Sequence, residues 1–253
     1  MTTDTQTAAA FYTSRQGKLA AHLVRLRLSQ IWPRLTGQSV LGIGYPTPYL
    51  RLWREQAQRC VALSPVQIGA IPWPPAAPGL VCTAEEDALP FPDLSFDRIL
   101  LVHGLEGADA ARRLLREVWR VLKDDGRLLV VAPNRRGMWA QVESTPFGQG
   151  QPYSTGQIGR LLANAMFRVE QRDTALYMPP LRFRLIYRSA KFWENSGRLL
   201  LPRFAGVTLT EAVKDVYAAI PVKARPSRRM VFADSAFAAR SSSGQTSSQV
   251  SRR

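Results

Sequence analysis

A histidine and a glutamate three residues apart, His103 and Glu106, have side chains suited to moving a proton. An unperturbed imidazole titrates at about pH 6.5, so His103 could act as a general base toward an acceptor that must lose a proton. Glu106 could serve as a second base. Two plainer interpretations stay open. His103 could cap a helix or stabilise a loop, and Glu106 could sit in a first helical turn, where a carboxylate favours the helix dipole.

A second group of candidates is aromatic or basic and would surround an acceptor. Most of it falls in or beside the Gly-, Gln- and Pro-rich loop from Pro133 to Pro152. The aromatic members could line a pocket, and the arginine, with its neighbour Arg136, could meet an acidic group. Ordinary loop packing explains the aromatic side chains equally well. The candidate acceptor-binding residues are Tyr12, Arg135, Trp139, Phe147 and Tyr153.

Short apolar runs alternate with helical patterns along most of the chain. Such alternation predicts an α/β, Rossmann-like, doubly wound sheet that is mostly parallel and covered by helices on both faces. The predicted helices span residues 15–32, 48–58, 109–122 and 154–166. The predicted strands span residues 40–44, 59–63, 80–82, 96–102, 127–132, 167–174 and 206–213.

The stretch from Ser39 to Leu50 would position a ligand in this fold. A strand that turns directly into a helix presents free backbone N–H groups and the positive end of a helix dipole at one edge of the sheet. Open α/β sheets hold their ligands at that edge. Here Pro46 and Pro48 stand where glycines would be expected.

The length and composition of the chain indicate one domain with tails. A chain of 253 residues that is 45% hydrophobic can bury one substantial core. We expect a flexible N-terminus at 1–14, a domain at 15–222 and a disordered basic tail at 223–253. No apolar run approaches the ~18 residues that span a bilayer, and no signal-peptide pattern opens the chain, so a cytoplasmic location is expected. The two cysteines, Cys60 and Cys82, are expected to be free thiols, and no metal set can be assembled.

The net charge of +15 would attract polyanions or acidic partners without specificity. A nucleic-acid role and simple solubility account for it about equally. Residues 175–204 form a basic and aromatic insertion. It could cover a substrate, dock a partner protein through 181–199 or rest on anionic lipid, and an ordinary packed helix is an equally good interpretation.

Two motifs, Leu89–Asp97 and Glu117–Leu128, are similar to those of class I S-adenosylmethionine-dependent methyltransferases, and within them of the type 11 methyltransferase domain. The similarity extends from about Val40 to Phe167. It implies methyl transfer from S-adenosylmethionine to an acceptor that the sequence does not identify. It also implies a seven-stranded sheet whose last strand is antiparallel.

The resemblance carries cofactor positions onto this sequence. The candidate cofactor-binding residues of the first loop are Gly42, Gly44 and Tyr45. Gly42 takes the usual acidic place and Gly44 that of the first glycine, while the proline after Tyr45 removes an N–H donor. Ser64 replaces the acid that holds the ribose hydroxyls. A neutral hydrogen bond in place of a charged one would weaken binding about five- to thirty-fold.

The remaining cofactor positions follow the pattern more closely. Glu85 matches the residue that reaches the adenine amino group, and His103 lies where the methyl donor meets its acceptor. The departures at the glycine loop and the ribose acid leave an alternative function open. In that alternative the fold is retained as a non-catalytic binding or regulatory subunit. A third and weaker alternative, based on charge alone, is a nucleic-acid-associated protein.

Overall fold

The computed structural model describes residues 3–66, 72–74, 79–106, 111–180, 189–200 and 202–215. The helices are α1 Thr3–Thr13, α2 Arg15–Ile31, α3 Thr47–Leu50, α4 Ala111–Val121, α5 Thr155–Asn164 and α6 Ala190–Leu200. The strands are β1 Ser39–Gly44, β2 Arg59–Pro65, β3 Val81–Ala84, β4 Phe96–Val102, β5 Leu122–Pro133, β6 Phe167–Ala175 and β7 Val207–Lys214.

The seven strands form one sheet in the order β3-β2-β1-β4-β5-β7-β6. Neighbours from β3 to β5 are parallel. By contrast, β7 runs antiparallel to both β5 and β6. The predicted fold class is therefore confirmed, with the antiparallel element lying between β5 and β6. Chain order reverses between β1 and β4, which is the point at which open α/β sheets place a ligand.

Alternate residues of the central strands face opposite layers, as the period of a strand requires. On one face, α4 and α5 cover Ile43, Leu101 and Val130. On the other, α1 and α2 cover Val40, Leu100 and others. Because both faces are buried, the strands read as nearly continuous apolar runs, and this is why the sequence identified them.

The first fourteen residues differ from the prediction of a flexible N-terminus. Thr3–Thr13 is helical, and Ser14 caps the following helix by accepting a hydrogen bond from the N–H of Gly17 at 3.0 Å. Phe11 and Tyr12 are buried at the end of α1. Burial of two aromatic rings stabilises the helix, and a composition-based prediction does not include that contribution.

The predicted helix at 48–58 is also wrong in extent. α3 has four residues, and turns continue from Arg51 to Gln56. The indole of Trp53 is almost fully buried, and its N–H donates to the carbonyl of Trp32 at 2.9 Å. Fixing Trp53 against the end of α2 stabilises the tighter turns in place of a regular helix.

Several expectations concern other parts of the chain. The tail at 223–253 and the first half of the segment 181–199 lie outside the described residues.

Both cysteines are free, and burial raises the pKa of Cys60 to about 11. No helix in the described ranges has the length and apolar content needed to cross a bilayer. Those same ranges hold no cluster of three or more potential metal ligands.

The two motifs that carry the family resemblance are bonded to each other through Arg120. Its guanidinium donates to both carboxylate oxygens of Glu117, to Asp93 and to the carbonyls of Leu89 and Phe91, at 2.7–3.0 Å. The bond with Arg120 is the main cause that lowers the pKa of Glu117. This part of the resemblance is therefore architectural, because it fixes the loop before β4 on α4.

Replacing the arginine that makes these five hydrogen bonds should lower the stability of the protein. We expect Arg120→Lys to lower the free energy of unfolding by about 1–2 kcal/mol, because lysine cannot reproduce the planar fork. This loss in the free energy of unfolding should be complete at neutral pH. It should shrink as pH falls below about 4.3, the unperturbed value for Glu, because protonation of Glu117 removes the charged partner. Denaturant titrations at several pH values measure this loss of stability.

Arg116→Lys, on the exposed side of α4, is the matched control. Equal effects of the two variants would contradict the assignment.

Gly17 allows the close approach of α1 to α2. A Cβ at this position would overlap the carbonyl of Phe11 and lie 2.8 Å from the Cα of Tyr12. We expect Gly17→Ala to lower the free energy of unfolding by about 1–3 kcal/mol or to release α1. Denaturant titration and limited proteolysis of the N-terminus separate the two results. Gly156→Ala is the control, because only an arginine side-chain atom at 3.7 Å lies near that site. If the two variants have the same stability and the same protease sensitivity, α1 is not held at Gly17.

Candidate functional site

The loop after β1 is held against the loop after β4 by backbone contact. The N–H of Tyr45 donates to the carbonyl of Val102 at 2.8 Å. Gly44 has a φ of 91°, which favours glycine, and a Cβ there would overlap the Val102 carbonyl and crowd Gly104. The space beside Gly44 is therefore filled by the neighbouring loop.

Gly42 and Pro46 are complementary to each other. A Cβ on Gly42 would lie 2.5 Å from the Cβ of Pro46 and 2.7 Å from a methyl group of Leu50. Pro46 thus packs directly over the backbone of Gly42. The two departures from the methyltransferase pattern are coupled, since an acidic side chain at position 42 would collide with the proline ring.

Tyr12 from α1 covers this loop. Its ring stacks on that of Tyr45, with centroids 5.4 Å apart and planes 11° from parallel. Its hydroxyl lies 2.8 Å from the hydroxyl of Tyr49 and 2.7 Å from Nε2 of His103. Burial raises the pKa values of the Tyr12 and Tyr49 phenols, so both are neutral at physiological pH.

His103 stands directly after β4 in a conformation that is unusual for its residue type. Its φ is 52°, in the left-handed region where non-glycine residues are uncommon and strained. Its Nδ1 lies 3.0 Å from Oε1 of Glu106. The side chains of His103 and Glu106 are 8% and 4% exposed, so the pair is shielded from water. The other carboxylate oxygen, Oε2 of Glu106, is buried without a hydrogen-bond partner among the described residues.

This network assigns the histidine tautomer. A carboxylate only accepts hydrogen bonds. In a neutral imidazole, Nδ1 of His103 therefore carries the hydrogen and donates it in the bond to Glu106. Nε2 then has a free lone pair and accepts from the hydroxyl of Tyr12. Glu106, His103, Tyr12 and Tyr49 form one connected chain of hydrogen bonds at the carboxyl end of β4.

The loop after β5 closes the other side of His103. The ring centroid of Phe147 lies 4.9 Å from that of the imidazole, and the ring centroids of Trp139 and Phe147 are 5.4 Å apart. Trp139 is fixed by its indole N–H, which donates to the carbonyl of Met178 at 2.6 Å. Gly150, at a φ of 75°, lets this loop approach Glu106, where a Cβ would overlap the carbonyl of that residue.

The structure brings some predicted acceptor residues together and leaves others apart. Tyr12 and Phe147 contact His103, and Trp139 contacts Phe147. Tyr153 is half-buried nearby, with its hydroxyl donating to the carbonyl of Leu105 at 3.4 Å. Arg135 is exposed, and the bond that links it to this region is from its backbone N–H to the carbonyl of Tyr153.

The predicted adenosine-binding residues lie along the same edge of the sheet. Ser64 is buried near the end of β2, where it pairs in register with Thr83 of β3. Glu85 follows β3 directly and is exposed. Sequence reasoning missed Tyr49, which is fully buried and bonded to Tyr12. Its position on the first turn after the β1 loop was the available signal.

Comparison with known proteins shows a similarity to methyltransferases over part of the chain. Residues 29–130 match the family model described as a methyltransferase domain. An uncharacterized protein of Mycobacterium tuberculosis is 31% identical over 108 residues, which cover 40% of this chain and 38% of that protein. The ubiquinone/menaquinone biosynthesis C-methyltransferase UbiE of Escherichia fergusonii is 48% identical over 48 residues, covering 19% of each chain. The matched segments thus span well under half of these relatives.

Solved structures show the same fold at low sequence identity. A possible histamine N-methyltransferase from Thermotoga maritima superposes with a TM-score of 0.54 and 17% identity, over 81% of this chain and 94% of that one. An S-adenosylmethionine-dependent methyltransferase from Mesorhizobium loti gives a TM-score of 0.53 and 14% identity, over 75% and 96% of the two chains. Through the match of residues 29–130 and the architecture of its sheet, the chain is similar to S-adenosylmethionine-dependent methyltransferases and shares their fold.

Proposed function

We propose that the protein transfers a methyl group from S-adenosylmethionine to an acceptor atom that must give up a proton, with His103 as the general base. The hydrogen-bond chain from Glu106 through His103 to the buried hydroxyl of Tyr12 carries this proposal. A carboxylate that orients a histidine toward a hydroxyl is the arrangement of a catalytic base with its positioning residue.

The residues present fit S-adenosylmethionine, which the family and its fold imply as the cofactor. Ser64 and Glu85 lie at the carboxyl edge of adjacent strands, where they would hold the ribose and the adenine. Oε2 of Glu106 is buried without a hydrogen-bond partner in the part of the chain that the structure describes, and its charge would suit the positive end of the molecule. The loop after β1 offers a ligand fewer backbone N–H donors than a glycine-rich loop would. The N–H of Tyr45 already donates to Val102, and Pro46 has no N–H.

The bound cofactor would supply a sulfonium-activated methyl group, and the chain would supply position and a place for the proton. Methyl transfer is a displacement in line with the leaving group, so exclusion of water and alignment contribute much of the rate. Nε2 of His103 would take the acceptor proton, and Glu106 would stabilise the resulting imidazolium. The strained backbone of His103 keeps its ring aimed at this point.

Tyr12 marks the place of the acceptor. Its hydroxyl lies at Nε2, where the proton-bearing atom of an acceptor would have to lie. Entry of an acceptor therefore requires α1 to withdraw the Tyr12 ring from Tyr45. Phe147 and Trp139 would then form one apolar wall of the vacated space.

The names of similar proteins do not fix the acceptor. One is a C-methyltransferase of quinone biosynthesis and another a possible histamine N-methyltransferase, so the methylated atom differs between them. The chemistry common to such acceptors is a carbon, nitrogen or oxygen atom that becomes nucleophilic when a proton leaves. This is the class that a histidine base would serve.

A second function is favoured by the contacts of the β1 loop. Pro46 fills the space over Gly42, and Tyr45 is covered by Tyr12. A protein that had lost the cofactor could keep this closed loop and act as a non-catalytic binding or regulatory subunit. Direct measurement of cofactor binding separates the two functions.

Calorimetry with S-adenosylmethionine and S-adenosylhomocysteine should show binding of both by the full-length protein. We expect Ser64→Ala to weaken binding about fivefold, because one neutral hydrogen bond of about 1 kcal/mol is lost. Ser29→Ala on α2 is the matched control and should leave affinity unchanged. No heat of binding at millimolar ligand would overturn the enzyme proposal in favour of the non-catalytic subunit.

Replacement of Glu106 tests the proton-transfer assignment. We expect Glu106→Gln to lower the turnover of methyl transfer at saturating cofactor about 100-fold, because the neutral amide stabilises the imidazolium poorly. His103→Ala should lower turnover at least as much. The measurement is transfer of a labelled methyl group from S-adenosylmethionine into fractionated cell extract. Glu143→Gln, at an exposed position of the loop after β5, is the control. Wild-type turnover in either site variant would remove His103 from the reaction.

A further inference from the structure

The helix α6 presents its apolar side to solvent. Phe192 is 65% exposed, Leu199 82% and Leu200 72%, and Phe204 in the following turn is 51% exposed. Phe192 and Leu199 are seven residues apart, and so are Trp193 and Leu200, which places the four side chains on one broad helical face. Large apolar side chains exposed together mark an interaction site more often than scattered ones do.

The polar side of the same helix faces the protein. Glu194 is 7% exposed, and its carboxylate accepts from the backbone N–H of Tyr177 at 2.6 Å. Gly197, one turn further on, lies so close to Tyr177 that a Cβ there would be 2.6 Å from the Cβ of that residue. These two contacts fix the rotation of α6, so the outward direction of Phe192 and Leu199 is set by packing.

The sequence that contains this face is strongly basic. Residues 181–204 contain six basic residues and a single acid, which gives 6 − 1 = +5. The acid is Glu194, whose carboxylate is buried on the opposite side of the helix. Arg198, whose guanidinium lies 3.7 Å from a carboxylate oxygen of Asp173, and Arg203 are both exposed beside the apolar face. The other basic residues of this stretch are Arg182, Arg184, Arg188 and Lys191.

We infer that the exposed face of α6, comprising Phe192, Trp193, Leu199, Leu200 and Phe204, binds the surface of a bilayer that contains anionic phospholipids. An apolar helical face with a basic rim matches the two layers of such a surface, since the side chains enter the acyl boundary and the arginines meet the phosphates. The inference does not depend on methyl transfer.

Charge distinguishes this occupant from the others. A second copy of the chain would bring an equally basic rim to the same face, and residues 223–253 carry seven basic residues against one acid. A nucleic acid would neutralise the arginines but would leave the apolar side chains in water. The anionic bilayer is the partner that satisfies both features of the face.

The face also lies behind the aromatic wall of the candidate active site. Tyr177, against which α6 packs, precedes Met178, whose carbonyl receives the indole N–H of Trp139. Trp139 contacts Phe147, which contacts His103. Binding a bilayer through α6 would therefore bring the site close to the lipid surface.

Vesicle co-sedimentation of the full-length protein tests the inference. The probes are vesicles of phosphatidylcholine alone and vesicles that contain about 30% phosphatidylglycerol, an anionic fraction that gives a substantial surface potential. We expect about tenfold more protein bound to the anionic vesicles. The double variant Phe192→Ser with Leu199→Ser should lose this binding, and Arg198→Gln with Arg203→Gln should reduce the preference for phosphatidylglycerol.

Exposed apolar residues elsewhere provide the control. Leu26 and Val66 are 45% and 52% exposed on other parts of the surface, and Leu26→Ser with Val66→Ser should leave vesicle binding unchanged. Equal binding by the Phe192/Leu199 variant and the wild type would overturn the inference and place any binding at another basic segment. Failure of the wild type to sediment with anionic vesicles would also overturn it. Sedimentation velocity, with the Phe192/Leu199 variant converting a dimer to a monomer, would instead assign the face to self-association.

Discussion

One backbone hydrogen bond, from the N–H of Tyr45 to the carbonyl of Val102, joins the loop after β1 to the last residue of β4. It closes the point at which the chain order of the sheet reverses, where an open α/β fold otherwise leaves a crevice. Gly44 makes the bond possible because any side chain there would overlap the same carbonyl. The direction of His103, the stacking surface for Tyr12 and the loss of a free N–H all depend on this closure.

The unusual loop sequence has a structural explanation. Gly42 and Pro46 fit each other, so the absence of an acid and the presence of a proline are a single change in packing. A loop that is closed by its own proline is rigid and pays little conformational entropy when a ligand binds. Under the proposed function, adenosine would then be recognised at the strand ends by the polar side chains of Ser64 and Glu85.

Sequence patterns predicted the sheet well because its strands are short apolar runs buried on both faces. They failed at α1 and after α3, where Tyr12 and Trp53 gain their stability from contacts with residues distant in the chain. The candidacy of His103 and Glu106 as proton-transfer groups was predictable from their residue types, and the structure places Nδ1 of His103 3.0 Å from the carboxylate of Glu106. The position of Tyr12 at Nε2 was not, because it depends on the close approach of α1 to Gly17.

The contacts of Tyr12 bear on how the site would work. Two hydrogen bonds at about 1 kcal/mol each and a stacked ring pair at about 0.5–1.5 kcal/mol favour the covered arrangement by about 3 kcal/mol. An energy of that size leaves the uncovered form at about 1% of the population in the absence of a ligand. Cofactor and acceptor would each reach His103 through this minor form, so ligands that displace Tyr12 would bind cooperatively. Under the proposed function, the aromatic cover would therefore exclude water from His103 until the reactants are present, and this would couple the N-terminal helix to the chemistry at the end of β4.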